Sequence, residues 1–279
     1  MGQFEAVLFW SCLGLYSAGW LTTVAGSVFK RPKPALIGYR MLVGALAAHT
    51  GAIAARWFVT GHAPVMRNFE NALAGGWVII AVSVFLAHRR EIFRQLVLVT
   101  APLVLLLLGY GLTQLGAHEP LSPALRTPWL YIHVTFAWIS FGTFTAASCA
   151  AAVFLVRRAR AGSAEEGEAF AVLRALDELQ FRLVAYGFVA AAVMIASGAI
   201  WARLLWGSYW GWDPVETWSL ASWLVYGLYI HLRLIFHWQM RRAAWFALFA
   251  IIPVIVSFWG VGLMMTSRHL FSVMDMVSR

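Results

Sequence analysis

The chain has 279 residues, of which 61% are hydrophobic and only 12% are charged. A soluble core of this size would have too little polar surface to face water, so the composition excludes a soluble globular protein and indicates a membrane protein. The formal net charge is +9, but the sequence has no soluble basic domain that could bind nucleic acid. A nucleic-acid partner is therefore excluded. Cys12 and Cys149 form no CxxC motif, so no thiolate metal site or redox dithiol is predicted.

Apolar stretches of about 20 residues, the length that crosses about 30 Å of hydrocarbon, follow one another along the chain. They cover 4–29, 36–59, 71–87, 95–115, 129–156, 183–203, 218–238 and 245–267. Because they are continuous rather than alternating, they predict helices and not barrel strands. We therefore expect an all-α fold, a polytopic membrane helix bundle of about eight transmembrane helices that forms a single domain over 1–279. The polar stretch 157–182 is expected to be a cytoplasmic loop with a short helix.

Basic residues are concentrated in alternate loops, which is typical of cytoplasmic loops. They are Lys30, Arg31, Lys33, Arg89, Arg90, Arg94, Arg157, Arg158, Arg160, Arg174, Arg182, Arg241 and Arg242. The loops near 60–70, 116–128 and 204–217 are then extracytoplasmic. An even number of helices places both termini on that same outer side.

The segment 206–218, WGSYWGWDPVETW, is unusually rich in aromatic residues for a loop between two apolar runs. Indole rings tolerate the boundary between hydrocarbon and water, so one interpretation is an interfacial anchor. The density of rings favours a second interpretation, a flat aromatic platform for a large planar cofactor. If the segment is helical, Trp206 and Trp210 share a face, with Trp212 close by. Asp213 begins a D-P-x-E pattern, which is typical of a helix N-cap and predicts the start of the seventh helix.

Two histidines are predicted at the same outer level as these tryptophans. His133 lies about four residues inside the outer end of the fifth helix, and His269 lies just past the outer end of the eighth. Imidazole is a usual axial ligand of haem iron, and a histidine beside hydrocarbon usually has a function. The pair predicts a bis-histidine haem site that faces the extracytoplasmic space.

Two further histidines are predicted inside the bilayer. His231 lies about 20 Å below the outer end of the seventh helix, and His49 lies within the second helix. A second, intramembrane haem on its way outward is expected to use His231, with either His49 or a histidine of another chain as its partner.

Several segments together resemble the CcsA/ResC family of system II cytochrome c biogenesis proteins. They are LDELQFRLVAYGF, GAIWARLLWGSYWGWDPVETWSL, YIHLR, WLYIHV, GVGLMMTSRH and RWFVTGHAPVMRNFEN, and the tryptophan-rich one is similar to the WWD motif of that family. Departures from the family pattern are SRHLF near the end and NFENAL in the outer loop.

The resemblance implies that His133 and His269 are the external haem ligands and His231 the intramembrane one. It also implies that Trp206, Trp210, Trp212 and Asp213 form the haem-handling surface. The expected cargo is haem b, and the expected partners are a CcsB/ResB-type membrane protein and an apocytochrome c with a CxxCH motif. The chain is then half of a cytochrome c haem lyase in a bacterial plasma (inner) membrane, with its functional site on the periplasmic face.

Two alternatives remain open from the sequence. One is a CcmC-like or CcmF-like haem export or chaperone protein of the other maturation system. The other is a HemX-like haem-binding membrane regulator or an electron carrier, in which haem is the working group rather than cargo.

Overall fold

The structure, a computed structural model, describes residues 1–65, 68–116, 125–161 and 167–268. These ranges are helical apart from short connections, and no strand occurs in them, which confirms the predicted all-α class. The contacts between Cα atoms divide the chain into two compact units, Met1–Leu121 and Ser122–Arg279. The single domain expected over the whole chain stays a prediction.

Four long helices lie in the part of the first unit that the structure describes. Helix α1 covers Gln3–Val28, α2 covers Pro32–Thr60, and α3 covers Asn68–Arg89; a 3₁₀ turn over Glu91–Gln95 then leads into α4 over Leu96–Thr113. Helices α1 and α2 approach closely at glycines. A Cβ on Gly26 would lie 2.3 Å from the nitrogen of Ala35, and a Cβ on Gly38 would lie 2.3 Å from Oγ1 of Thr23. Small residues at such crossings allow helices in membranes to pack backbone against backbone.

A buried ionic cluster joins three helices of this unit. Arg56 of α2 donates from Nη1 to Oε1 of Glu5 at 3.4 Å and from Nε to Oε1 of Glu70 at 3.1 Å. Its guanidinium also lies 5.2 Å from the ring centroid of Phe69. Since all three charged side chains are almost fully buried, the cluster connects α1, α2 and α3 through charge-assisted bonds.

Replacing Arg56 with Ala is expected to destabilise the protein by about 3 kcal/mol, because two buried carboxylates lose this cationic partner. Thermal unfolding in detergent measures the effect. Arg182→Ala is the control, since Arg182 forms an exposed 3.6 Å pair with Glu178, which is worth at most about 1 kcal/mol. Equal stabilities of the two variants would contradict the structural role of the buried cluster.

The described part of the second unit contains four more helices. Helix α5 covers Pro128–Ala161, α6 covers Glu168–Trp206, and α7 covers Pro214–Leu234. Helix α8 covers Arg241–Met264 and includes a π-helical turn over Val256–Gly260.

The polar stretch 157–182 differs from its predicted form. It is not a long loop with a separate short helix, because α5 continues to residue 161 and α6 already begins at residue 168. No proline or glycine interrupts the chain between Glu168 and Tyr186, so the expected short helix is the first part of the 39-residue α6.

Within the described ranges, seven helices are long and apolar enough to cross a membrane by length and composition. Helix α7 is not among them, so the count of eight spans stays a prediction. The buried residues of α7 are Ser222, Tyr226 and Tyr229, and Tyr226 stacks on Phe144 of α5 with ring centroids 3.6 Å apart and planes 2° from parallel. The packed face of α7 therefore carries hydroxyl groups, which lowers its hydropathy.

Candidate functional site

His133 of α5 is held against α6 in a defined orientation. Its Nδ1 lies 2.8 Å from the carbonyl oxygen of Met194. A carbonyl oxygen only accepts, so Nδ1 must carry the proton and donate it, and the ring lone pair is then on Nε2. Metal-binding histidines are commonly fixed by a bond of this kind, which sets the tautomer and the direction of the other nitrogen.

The close approach of His133 to α6 depends on a glycine. A Cβ on Gly198 would lie 2.6 Å from Nδ1 and 2.8 Å from Cε1 of His133, distances that real Cβ atoms do not tolerate. Gly198 is one turn after Met194, so both residues lie on the face of α6 that meets the imidazole. No signal in the sequence pointed to Gly198, because only the pairing of α5 with α6 gives it a function.

Two tryptophans of α6 form a row of ring contacts that begins at this imidazole. The ring centroids of His133 and Trp201 are 5.8 Å apart, and those of Trp201 and Trp206 are 6.4 Å apart. Trp206 is the last residue of α6, which ends at Gly207 in a left-handed conformation with φ of 77°. Trp201 was not predicted as a site residue, although its place one turn before the aromatic segment was a usable signal.

Residues 207–213 form an irregular loop and not the helix on which a shared aromatic face was predicted. Gly207 ends α6, and Pro214 disfavours helical geometry at the residue before it. Trp212 has a φ of 56°, is 70% exposed, and meets Trp210 edge to face, with ring planes at 87°. The tryptophans therefore do not form one flat platform, because their rings point in different directions.

The carboxylate of Asp213 connects the start of α7 to the chain after α8. Its Oδ1 accepts from the backbone nitrogen of Val215 at 3.0 Å, which confirms the predicted N-cap. The same oxygen accepts from Oγ of Ser267 at 2.7 Å, and Oδ2 accepts from the backbone nitrogen of Arg268 at 2.8 Å. These bonds are charge-assisted because their acceptor is a carboxylate. Water screens them little because the side chain is buried.

Glu216 fixes the backbone of the tryptophan loop. Its Oε2 accepts from the backbone nitrogens of Gly211 at 2.8 Å and Asp213 at 3.2 Å. Together with Asp213 it completes a capping box. The sequence pattern predicted this glutamate as part of the helix start, whereas its second bond, to Gly211, depends on the loop conformation.

An open cleft lies between α5, α6, α7 and the tryptophan loop. Its lining includes His133, Gly198, Tyr209, Trp210 and Glu216. The cleft is therefore an aromatic pocket with an oriented imidazole in its wall.

The second predicted outer ligand, His269, lies outside the described residues. Its neighbour in sequence, Arg268, is the residue whose backbone nitrogen bonds Asp213. The pairing of His133 with His269 stays a prediction.

His231 lies in the last turn of α7, nearer to a helix end than the sequence predicted, because α7 ends at Leu234. It is exposed in its unit, and its ring centroid is 5.6 Å from that of Phe236. Close by, Asp177 of α6 accepts from Nη1 of Arg233 at 2.7 Å and from the backbone nitrogen of Met240 at 2.8 Å. This buried ion pair fixes both ends of the connection that follows His231.

His49 belongs to the other unit and is enclosed by it. Its exposure is 0%, and its Nδ1 lies 3.2 Å from the hydroxyl oxygen of Tyr16. The rings of these two residues meet edge to face at 5.9 Å. His49 therefore has the surroundings of a packed core residue.

Comparison with known proteins defines the class of the chain. A sequence profile described as Cytochrome C assembly protein matches residues 66–269. The chain belongs to this cytochrome c assembly protein family, and it has a role in cytochrome c biogenesis.

Individual relatives carry a more specific name. The chain is 28% identical to a cytochrome c biogenesis protein CcsA from Guillardia theta, over 88% of each chain. It is 31% identical to the protein of that name from Synechococcus sp. strain RCC307, over 77% of this chain and 78% of the relative. The match to the Chlamydomonas reinhardtii protein of the same name is 32%, over 77% of this chain and 62% of the relative.

A solved structure has a similar fold. The structure titled Cytochrome c Heme Lyase CcmF aligns with a TM-score of 0.73 at 15% identity. The alignment covers 96% of this chain but only 47% of that one, so the chain spans about half the length of that protein. The likeness shows the fold alone.

Proposed function

We propose that this chain binds haem b as cargo, with His133 and His269 as the two axial ligands of the iron. The observation that carries the proposal is the bond from Nδ1 of His133 to the carbonyl of Met194, since it directs Nε2 to act as the ligand. The neighbouring Trp206, Trp210 and Trp212 supply apolar ring surface for the porphyrin. Asp213 supports the site through its bonds to Ser267 and Arg268, the two residues that precede His269 in the sequence.

The bound haem is presented for covalent attachment to the CxxCH motif of an apocytochrome c. In that reaction each cysteine S–H adds across one vinyl group: a C–S bond forms at the carbon next to the ring, and the proton goes to the terminal carbon. No net electron transfer occurs, so the contribution of this chain is to hold and orient the haem. A CcsB/ResB-type partner completes the haem lyase. The CcsA name of the relatives supports this role.

The site faces the extracytoplasmic side of a bacterial plasma (inner) membrane, and both termini lie on that side. Support comes from the basic residues of the second unit. Arg158 and Arg160 lie in the last turn of α5, and Arg241 and Arg242 begin α8. The tryptophan loop follows the opposite end of α6, so the positive-inside bias assigns that loop to the outer face.

His231 is the ligand of a second, intramembrane haem on its way outward. Its exposure is consistent with a second axial ligand from another chain, whereas the enclosure of His49 makes that residue the weaker choice. Apolar side chains with high exposure, Leu234, Ile235 and Phe236, follow it and suit an interface with a membrane partner.

Replacing His231 with Ala is expected to leave protein yield normal and to lower haem at the outer site several-fold, because that site is filled by passage of haem past His231. Haem per protein in purified complexes measures the effect. His88→Ala, at an exposed position of α3, is the control. Normal haem content with normal yield in the His231 variant would reject the transit proposal.

The function is tested by reconstitution. The chain, a ResB-type partner and a CxxCH reporter are expressed in a host that lacks its own cytochrome c maturation genes, and haem that survives denaturing electrophoresis is measured. We expect covalent haem only when both membrane proteins are present, and none on an AxxAH reporter. Bound haem without covalent product under every combination would favour a regulator or electron carrier.

A further inference from the structure

We infer that the guanidinium groups of Arg203 and Arg268 bind the two propionate groups of the haem beside the cleft. The inference rests on the proposed function and extends it, because it names the residues that recognise the charged edge of the cargo. Haem b is a flat apolar ring with two carboxylates on one edge. A site that holds this ring in one orientation therefore gains from cations on one side, and guanidinium groups match the geometry of carboxylates.

Arg203 lies next to the wall of the cleft. It belongs to the last turn of α6 and is exposed. Its guanidinium carbon is 5.8 Å from the ring centroid of Tyr209, and Tyr209 lines the cleft. Nη1 of Arg203 donates to the carbonyl oxygen of Gly207. Because a guanidinium group has five N–H donors, this bond leaves donors for a carboxylate of the ligand.

Arg268 lies further along the tryptophan loop. A Cβ on Gly211 would be 3.5 Å from Nη1 of Arg268, and the residue before Gly211 is Trp210, which lines the cleft. Arg268 is exposed like Arg203. The loop over 207–213 therefore has one guanidinium group beside Gly207 and another beside Gly211.

The surrounding charges make anion binding depend on these two cations. Glu216 lines the cleft, and its carboxylate accepts from the backbone nitrogens of Gly211 and Asp213. A second carboxylate, that of Asp213, is close by, and both repel a ligand that carries two carboxylates. Within the part of the chain that the structure describes, neither Arg203 nor Arg268 forms an ion pair with a carboxylate. Both guanidinium groups are therefore available to an anionic ligand.

Arg203 also suits its position for a structural reason. A cation at the C-terminal end of a helix is favoured by the helix dipole, and the bond to Gly207 helps to fix the end of α6. This structural role does not depend on the charge of the ligand. A ligand with the same ring but without the two charges therefore separates the two roles.

The test compares two ligands, haem b and its dimethyl ester, in which both propionates are neutral. The full chain is purified in detergent from cells that are limited in haem synthesis, and dissociation constants are measured from the visible absorption of added haem. We expect Arg203→Ala and Arg268→Ala each to weaken binding of haem b about fivefold, as for one exposed ion pair. Binding of the ester should be unchanged. High salt should reduce the difference for haem b, because it screens exposed charges.

Arg182→Ala is the matched control, since it removes an exposed arginine from the cytoplasmic part of the same helix. It should bind both ligands like the wild type. Equal weakening for both ligands in Arg203→Ala and Arg268→Ala would overturn the inference, because the arginines then only support the loop. Wild-type affinity for haem b in both variants would also overturn it, while the haem site itself stands.

Two further outcomes are distinct from these. If the wild type binds neither ligand, the proposed function fails, and this inference fails with it. Should Arg203→Ala not fold, Arg203→Lys decides, because lysine keeps the charge but lacks the paired donors of a guanidinium group. We expect that variant to bind haem b more weakly than the wild type and the ester equally well, and wild-type binding of haem b by it would count against the inference.

Discussion

Replacing His133 with Ala is expected to abolish the low-spin haem spectrum of the purified complex and to reduce covalent cytochrome c at least a hundredfold. The substitution removes the only described imidazole in the wall of the cleft. On the proposed function, the iron then lacks one of the two histidines that hold the haem in the orientation that attachment needs. Effective concentrations in well-oriented sites are large enough that losing the orientation removes most of the rate. The measurement is the visible spectrum together with haem-stained reporter in the same membranes.

Imidazole in the medium should partly restore both readouts in this variant, since it fits the volume that the side chain has left. His88→Ala removes an exposed imidazole of α3. Its haem spectrum and its yield of covalent cytochrome c should both equal those of the wild type. An unchanged spectrum and full yield in His133→Ala would contradict the assignment of His133 as a ligand. Failure of imidazole to restore either readout would indicate that His133 is needed for folding.

The second large effect is expected from Gly198→Ala, a single added methyl group. That methyl would lie 2.6 Å from Nδ1 of His133, so the imidazole must move away from α6 and lose its bond to Met194. The freed ring is no longer held in one tautomer or direction. We expect haem occupancy to fall at least tenfold, measured as haem per protein.

Gly44→Ala in α2 is the matched control, because a Cβ there meets nothing within 4 Å. Alanine is a better helix former than glycine, so this variant should be as stable as the wild type and should retain its haem. Wild-type haem in Gly198→Ala would show that the close contact between α6 and His133 has no part in ligation.

Local determinants explain what the sequence predicted well. The pattern of Asp213, Pro214 and Glu216 identified the start of α7 and its cap, since a capping box involves only neighbouring residues. Long apolar runs predicted the helical class for the same reason.

Other features could not be predicted because they join distant parts of the chain. The bond from Ser267 to Asp213 spans 54 positions, and Gly198 becomes restrictive only when α5 lies against α6. The tryptophan segment was predicted to share one aromatic face on the condition that it was helical. Its glycine and proline instead give a loop, and the loop orients Trp210 and Trp212 at right angles.

The hydroxyl-bearing face of α7 has a consequence for the order in which the molecule is assembled. A helix whose packed side carries Ser222, Tyr226 and Tyr229 gains less from entering lipid alone than its neighbours do. Its polar side must be covered by α5 and by α8, whose Ser257 lies 3.0 Å from Ser219 of α7. The segment with His133 is synthesised early, whereas Asp213 meets its distant partners, Ser267 and Arg268, only after those residues have left the ribosome. On the proposed function, the haem site is therefore complete only after translation of the whole helical region.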